Sequence, residues 1–228
     1  QHPFPTMSIL LQAATAATPV VKELSVWDLC VKGGLIMIPL ALLSLICIYV
    51  FVERWIVIRR AAAGDDTFLS RIKDYIHEGE IESALLVCNN ANSPYGRLIA
   101  KGISRIGRPM NDVLVAIENT GNIEIARLEK GLPWLATTAA GAPMLGFLGT
   151  VIGMVEAFFN LASAGTSANI DVLAGGIYEA LVTTVAGLVV GIIALFAYNY
   201  LVACINRVMN NLESKTMEFM DLLNEPVA

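Results

Sequence analysis

The chain has 228 residues, of which 56% are hydrophobic and only 15% are charged, and its mean hydropathy is +0.64. Soluble domains carry about 25% charged residues, so this composition indicates a membrane protein. The net charge of −5 excludes the overall basic character of nucleic-acid-binding proteins. Two histidines and four scattered cysteines show no metal-ligand spacing. We therefore expect no nucleic-acid partner, no metal and no cofactor.

The first predicted membrane span covers residues 33–58. Its apolar core, residues 33–52, is uncharged, and a helix of this length is about 30 Å long, which matches one hydrocarbon thickness. Pro39 lies near its start, where we expect a mild kink. The preceding residues 1–32 contain an apolar stretch that is too short to cross a bilayer, and we interpret them as an extracytoplasmic segment.

Residues 59–132 are predicted to form a helical domain in the cytoplasm. Ser93-Pro94 and Pro109 are typical of helix starts, and we expect the helix that begins near Pro109 to continue into the second span. The domain contains ten of the fifteen Lys and Arg residues. Because basic residues near membrane ends stay on the inner side, the domain is assigned to the cytoplasm.

Two further spans are predicted at residues 133–164 and 172–206, joined by a turn at 165–171. This turn contains no Lys or Arg, so we place it outside the cytoplasm. A helical apolar stripe continues beyond the third span, which predicts a cytoplasmic helix over residues 207–228.

The predicted fold is an all-α membrane protein with three transmembrane helices. Two of them are long and extend into the cytoplasm, and a helical cytoplasmic domain lies between the first and the second. The N-terminus is expected outside the cytoplasm and the C-terminus inside.

Each of the last two spans carries a stripe of small residues at helical spacing. The stripes are Ala142, Gly146, Gly149, Gly153 and Ala157 in the second span, and Ala180, Thr184, Gly187, Gly191 and Ala194 in the third. Small residues let membrane helices approach closely. The stripes either pack the two spans within one chain or place both at the centre of a multi-subunit bundle. The first span carries large apolar residues instead, so we expect it on the outside, facing lipid.

One carboxylate lies in each of these two spans, Glu156 in the second and Glu179 in the third. A charge inside the bilayer costs about 3 kcal/mol, so an intramembrane carboxylate is a candidate functional group. The alternative is that the carboxylate lies near the outer surface and is hydrated, and this alternative is stronger for Glu156 than for Glu179. Threonines accompany the acids on the same helices: Thr137, Thr138, Thr150, Thr183 and Thr184. A threonine hydroxyl can also serve only to bond a carbonyl of its own helix.

Arg54, Arg59 and Arg60 directly follow the apolar core of the first span. The inner leaflet is anionic and attracts such residues by about 1 kcal/mol each. We therefore expect them to bind lipid headgroups.

The sequence has no phosphate-binding loop and no H-E-x-x-H motif, which argues against ATP-driven or hydrolytic chemistry and against an enzyme. An electrochemical gradient remains as an energy source, worth ~2.3 kcal/mol per charge per 100 mV. An ion channel that works alone and a scaffold that moves nothing both stay open.

The segments LGFLGTVIGMVEAF, residues 145–158, and GGIYEALVTTVAGLVVGI, residues 175–192, resemble the signature of the ExbB/TolQ/MotA family of ion-driven membrane motors. The order of the spans is similar to the ExbB/TolQ branch, and the segment before the first span favours ExbB. The resemblance implies a homo-pentamer in the bacterial inner membrane, with a periplasmic N-terminus. Its pore would hold the single helices of an ExbD-like partner with a membrane aspartate. Driven by the proton-motive force, the complex would energise a TonB-like protein for outer-membrane transport; a TolQ-like role in envelope integrity is the alternative.

By motif, the resemblance assigns the ion pathway to Thr150, Glu179 and Thr184. Thr183, beside Thr184, and Glu156, which departs from the family pattern, complete the candidate set. In each span the acid lies five or six residues from the threonine, about 8 or 9 Å. If the two threonines are level, the two acids are expected to be nearly level as well.

Overall fold

The computed structural model describes residues 33–62, 67–91, 93–164 and 170–224. The regular structure of these residues is entirely helical, which confirms the all-α class for the described part of the chain. In chain order the helices are α1 (Met37–Ala62), α2 (Phe68–His77), α3 (Ile81–Asn90), α4 (Pro94–Ile103), α5 (Met110–Glu129), α6 (Leu132–Ala164) and α7 (Ile170–Asn224). The N-terminal segment 1–32 and most of the predicted turn 165–171 lie outside the described residues.

Helices α1, α6 and α7 are long and apolar enough to cross a membrane, which confirms the three predicted spans. Helix α7 has 55 residues and is about 80 Å long, more than twice the hydrocarbon thickness. It passes the predicted boundary at residue 207 without a break. Pro39 lies in the first turn of α1, where no intrahelical hydrogen bond is lost, so the expected kink has no cause at this position.

Helix α5 does not continue into α6, so the expectation of one continuous helix is wrong. Gly131 separates them with φ +96°, the left-handed conformation that commonly ends helices. The chain restarts at once, since the backbone N–H of Trp134 donates to the carbonyl of Gly131 at 3.0 Å. Helix α6 is therefore free to take its own direction through the membrane.

The helical domain, α2 to α5, packs against the last part of α7. Phe219 of α7 is fully buried there. A Cβ at Gly102 of α4 would lie only 2.6 Å from the Phe219 ring and 2.8 Å from Ile117 of α5, so these three elements meet closely. Ser93 caps α4 as predicted, because its Oγ accepts a hydrogen bond from the N–H of Gly96 at 3.1 Å. One continuous helix thus links this domain to the membrane.

The thiol of Cys88 is expected to be chemically inert. Cys88 is buried in the helical domain, and burial raises its pKa to about 11. At pH 8 about one thiol in a thousand is then ionised, against about a quarter for a thiol with an ordinary pKa. We predict that Cys88 in the native protein is alkylated at least about 100-fold more slowly than in the chain unfolded in SDS. Peptide mapping after timed iodoacetamide labelling measures both rates, and equal rates would contradict the buried position.

Candidate functional site

Helices α6 and α7 pack through their small residues along a line that we call the seam. It consists of Ala142, Gly146, Gly149, Gly153 and Ala157 on α6, facing Gly176, Ala180, Thr183, Gly187 and Gly191 on α7. A Cβ at Gly187 would lie 2.5 Å from the carbonyl oxygen of Ala142 and 2.9 Å from the Cα of Gly146. The backbones therefore approach too closely for any side chain at this point. Of the two expected uses of the stripes, packing within one chain is the one that the structure displays.

Thr184 connects the two seam helices by a hydrogen bond. Its Oγ1 donates to the carbonyl of Gly146 at 2.9 Å. The hydroxyls of Thr150 and Thr183 instead donate within their own helices, to the carbonyls of Phe147 at 2.6 Å and Ala180 at 2.7 Å. A neutral hydroxyl can orient water but does not carry a charge, so the threonines can guide an ion only together with an ionisable group.

The two carboxylates lie near one end of the seam and on the surface of the single chain. Ala180 is opposite Gly153 and Gly176 is opposite Ala157, so Glu179 is at about the level of Met154. Glu156 is two residues farther along α6, about 3 Å more distant from the helical domain. The two acids therefore differ in level by about half a helical turn, and the sequence-based expectation that they are nearly level holds approximately.

Glu179 reaches across to Gly34, the residue that sequence reasoning missed. A Cβ at Gly34 would collide with Oε1 of Glu179 and lie 3.3 Å from its carboxyl carbon. Gly34 has φ +64°, a conformation that favours glycine. The only signal in the sequence is the Gly33-Gly34 pair before the first span. Since Gly34 precedes α1, Glu179 lies at the end of the spans opposite Arg54, close to a membrane surface.

Gly34→Ala is expected to lower stability and also to displace the Glu179 carboxylate. Gly79 supplies the matched control, because it has a similar φ of +77° but nothing within 4 Å of a Cβ. Both alanine variants should lose about 1–2 kcal/mol from the left-handed backbone. Only Gly34→Ala should also change the rate at which a carbodiimide labels the Glu179 carboxylate. Thermal unfolding and Glu179 labelling measured on both variants test this, and equal labelling in the two would show that the contact with Glu179 is incidental.

The three arginines at the other end of α1 occupy different environments. Arg54 is buried: its Nη1 donates to the carbonyl of Arg127 at 3.1 Å, and its Nη2 pairs with Glu53 at 2.5 Å. Arg59 lies over the Trp55 ring, 5.3 Å from its centroid, and both Arg59 and Arg60 are exposed. Headgroup binding stays a prediction for all three, and the buried position of Arg54 weighs against it there.

Comparison with known proteins gives consistent matches over this region. The model of the MotA/TolQ/ExbB proton channel family matches residues 90–214, which contain the whole seam and both carboxylates. The ExbB-like 1 biopolymer transport protein of a Synechocystis strain is 32% identical over 191 residues, covering 82% of this chain and 72% of the relative. The Tol-Pal system protein TolQ of Haemophilus influenzae is 39% identical over 103 residues, 45% of each chain.

A further relative, the biopolymer transport protein ExbB of Xanthomonas campestris, is 46% identical over 77 residues, 34% of this chain and 30% of that protein. Similarity to both ExbB and TolQ fits the resemblance of the two signature segments. Together with the three apolar helices, the matches identify an integral membrane protein. The chain belongs to the MotA/TolQ/ExbB proton channel family.

Proposed function

We propose that this chain is the pore-forming subunit of a motor driven by the proton-motive force, of the ExbB-like type. Five copies surround a pore in the bacterial inner membrane, with the N-terminus in the periplasm and the helical domain in the cytoplasm. Members of the family work with partner proteins in a motor complex. In this proposal the partners are an ExbD-like single-span subunit and a TonB-like protein that is energised for outer-membrane transport.

The observation that carries the proposal is the arrangement of Glu179 and Thr184 along the seam. Glu179 lies near the proposed periplasmic surface, where it can exchange a proton with water. Thr184 lies deeper, and its hydroxyl joins α7 to Gly146 of α6. The pair thus lies along the path that an ion would follow from the periplasm into the bundle. A scaffold without ion movement has no need for an acid in this place.

Below Glu179, proton transfer along the seam needs an acceptor from a second subunit. From residue 180 to residue 206, α7 contains no Asp, Glu, Lys, Arg or His, and residues 133–155 of α6 contain none either. The 27 residues of α7 alone span about 40 Å. A proton released by Glu179 therefore meets threonine, glycine and aliphatic surface before Arg207. An aspartate on a partner helix in the pore would supply the missing acceptor.

In this proposal, ion movement is coupled to rotation of the partner helix. Protonation would remove the charge of the partner aspartate and let its helix turn within the ring, which converts ion movement into mechanical motion. The seam helices form a rigid surface against which the partner helix rotates, because the backbones of α6 and α7 are in contact. Helix α7 continues into the helical domain, so the ring is anchored on the cytoplasmic side.

The experiment is purification of the assembled complex from its native membrane, followed by native mass spectrometry. We expect five copies of this chain together with a single-span subunit that carries a membrane aspartate. A TonB-like third component would support the ExbB-like alternative, and a different driven protein would favour the TolQ-like one. A stable monomer without a single-span companion would contradict the proposal.

A further inference from the structure

A basic cavity lies between α1, α4 and α5, at the end of α1 that carries Arg54. Its volume is about 320 Å³, within the size range of ligand pockets. Each helix contributes one guanidinium group to its lining: Arg60 from α1, Arg97 from α4 and Arg127 from α5. Apolar side chains, among them Val57 and Leu128, form the rest of the wall.

Glu124 does not neutralise this cavity. Among the described residues it is the one acid in the lining, and it is 3% exposed. Its Oε2 accepts from Nη2 of Arg97 at 2.5 Å, and its Oε1 accepts from Nη1 of Arg127 at 2.7 Å. Both carboxylate oxygens are therefore engaged by arginine. In the part of the lining that the structure describes, three guanidinium groups against one carboxylate leave two positive charges.

Hydrogen-bond donors remain for a ligand. Arg97 and Arg127 each use one terminal nitrogen on Glu124, while a guanidinium group offers five N–H donors. The Nε of Arg97 is buried and does not face solvent, so the donors left for a ligand are the remaining terminal N–H groups of Arg97 and Arg127. Because Glu124 fixes both guanidinium groups in place, little side-chain entropy is lost when an anion binds.

The depth of the cavity corresponds to a membrane surface. The first predicted span ends at residue 58, and Arg60 lies two residues farther along the helix, about 3 Å. Trp55 lies in the last turn of that span, and tryptophan is enriched at membrane interfaces. A basic cavity between helices at this depth is suited to an anionic headgroup.

We propose that this cavity binds a phosphate group, held by Arg60, Arg97 and Arg127. Arginine forks match the oxygens of a phosphate and bind them with paired hydrogen bonds. The same chemistry is offered by the headgroup of an anionic phospholipid and by a phosphorylated solute. The site differs from the run of arginines at the end of α1, since two of its three cations come from the helical domain. It does not depend on the proposed motor function.

The test uses the full-length protein, purified in detergent and freed of lipid. Native mass spectrometry and thermal unfolding are recorded with phosphatidylglycerol, with diacylglycerol of the same acyl chains, and with glycerol phosphate. We expect one phosphatidylglycerol per chain, a raised Tm, and no comparable effect of diacylglycerol. Competition by glycerol phosphate would show that solutes reach the site, and its absence would show that the site is specific for lipid; both results support a phosphate site.

Two variants and one control make the test specific. Arg60→Gln should weaken phosphatidylglycerol binding roughly fivefold, as expected for one removed charge. Arg97→Lys keeps the charge but loses the planar fork of terminal N–H donors and should weaken it at least as much. Arg108→Gln removes an exposed arginine outside the cavity and should have no effect.

Arg60 takes no part in the ion pairs of Glu124, so Arg60→Gln carries the test even if Arg97→Lys fails to fold. Equal binding of diacylglycerol would overturn the proposal. Wild-type affinity in Arg60→Gln would do the same, as would an equal loss in Arg108→Gln.

Discussion

Glu179→Gln is expected to abolish transport that depends on the proton gradient, whereas Glu156→Gln should only reduce it. Glutamine has nearly the same shape as glutamate but cannot take up and release a proton. Glu179 lies against Gly34 at the mouth of the proposed path, while Glu156 lies about half a helical turn farther out, where hydration is easier. The two variants remove the same charge from neighbouring positions of one membrane protein. A difference between them therefore reports position and not net charge.

Growth on a nutrient whose uptake needs the energised complex measures this difference. We expect the Glu179→Gln strain to fall to the level of a strain that lacks the gene. The Glu156→Gln strain should keep a substantial part of the wild-type rate. Quantitative blotting of membranes must show equal amounts of protein. Full growth of the Glu179→Gln strain would refute an ion pathway through this acid and leave the scaffold alternative.

Gly187→Ala is expected to destabilise the protein, because the added methyl group has no room between α7 and α6. The new Cβ would lie 2.5 Å from the Ala142 carbonyl oxygen and 2.9 Å from the Gly146 Cα. Both are backbone atoms, so α6 and α7 must move apart instead of one side chain rotating. Overpacking of this kind costs about 1–3 kcal/mol. The Thr184 to Gly146 hydrogen bond would be lengthened at the same time.

Gly141→Ala is the control on the facing helix. A Cβ at Gly141 meets nothing within 4 Å, so this variant should be neutral or slightly more stable, because alanine favours helix. Gly149→Leu, which places a larger group against Thr183, should also prevent assembly of the ring. Thermal unfolding in detergent measures the stability of the alanine variants, and native mass spectrometry measures the assembly of Gly149→Leu. Normal assembly of Gly149→Leu would show that the seam does not control the oligomer.

The membrane part of the fold could be predicted from the sequence because hydropathy and helical periodicity are local properties. The three spans and the small-residue stripes needed only residue spacing. The break at Gly131 was signalled by the glycine but was not predicted, since the apolar pattern continues past it into α6. The sequence does not distinguish a glycine with positive φ from a glycine in the ordinary helical conformation.

The candidate site could be predicted only in part, for a similar reason. Residue type and the family resemblance pointed to Glu179 and Thr184, but the partner of each depends on how α1, α6 and α7 are aligned. The contact with Gly34 joins residues 145 positions apart, and no local pattern reports it. Arg54 illustrates the same limit: its charge suggested a headgroup ligand, while its burial follows from the position of α5.

This chain is expected to conduct protons efficiently only together with a partner subunit. The test measures proton flux under an imposed pH gradient and a clamped potential. It compares liposomes that contain this chain alone with liposomes that contain the assembled complex. We expect flux through the complex that Glu179→Gln removes, and flux near background for this chain alone. Equal flux from the chain alone would contradict the motor and identify a self-sufficient channel.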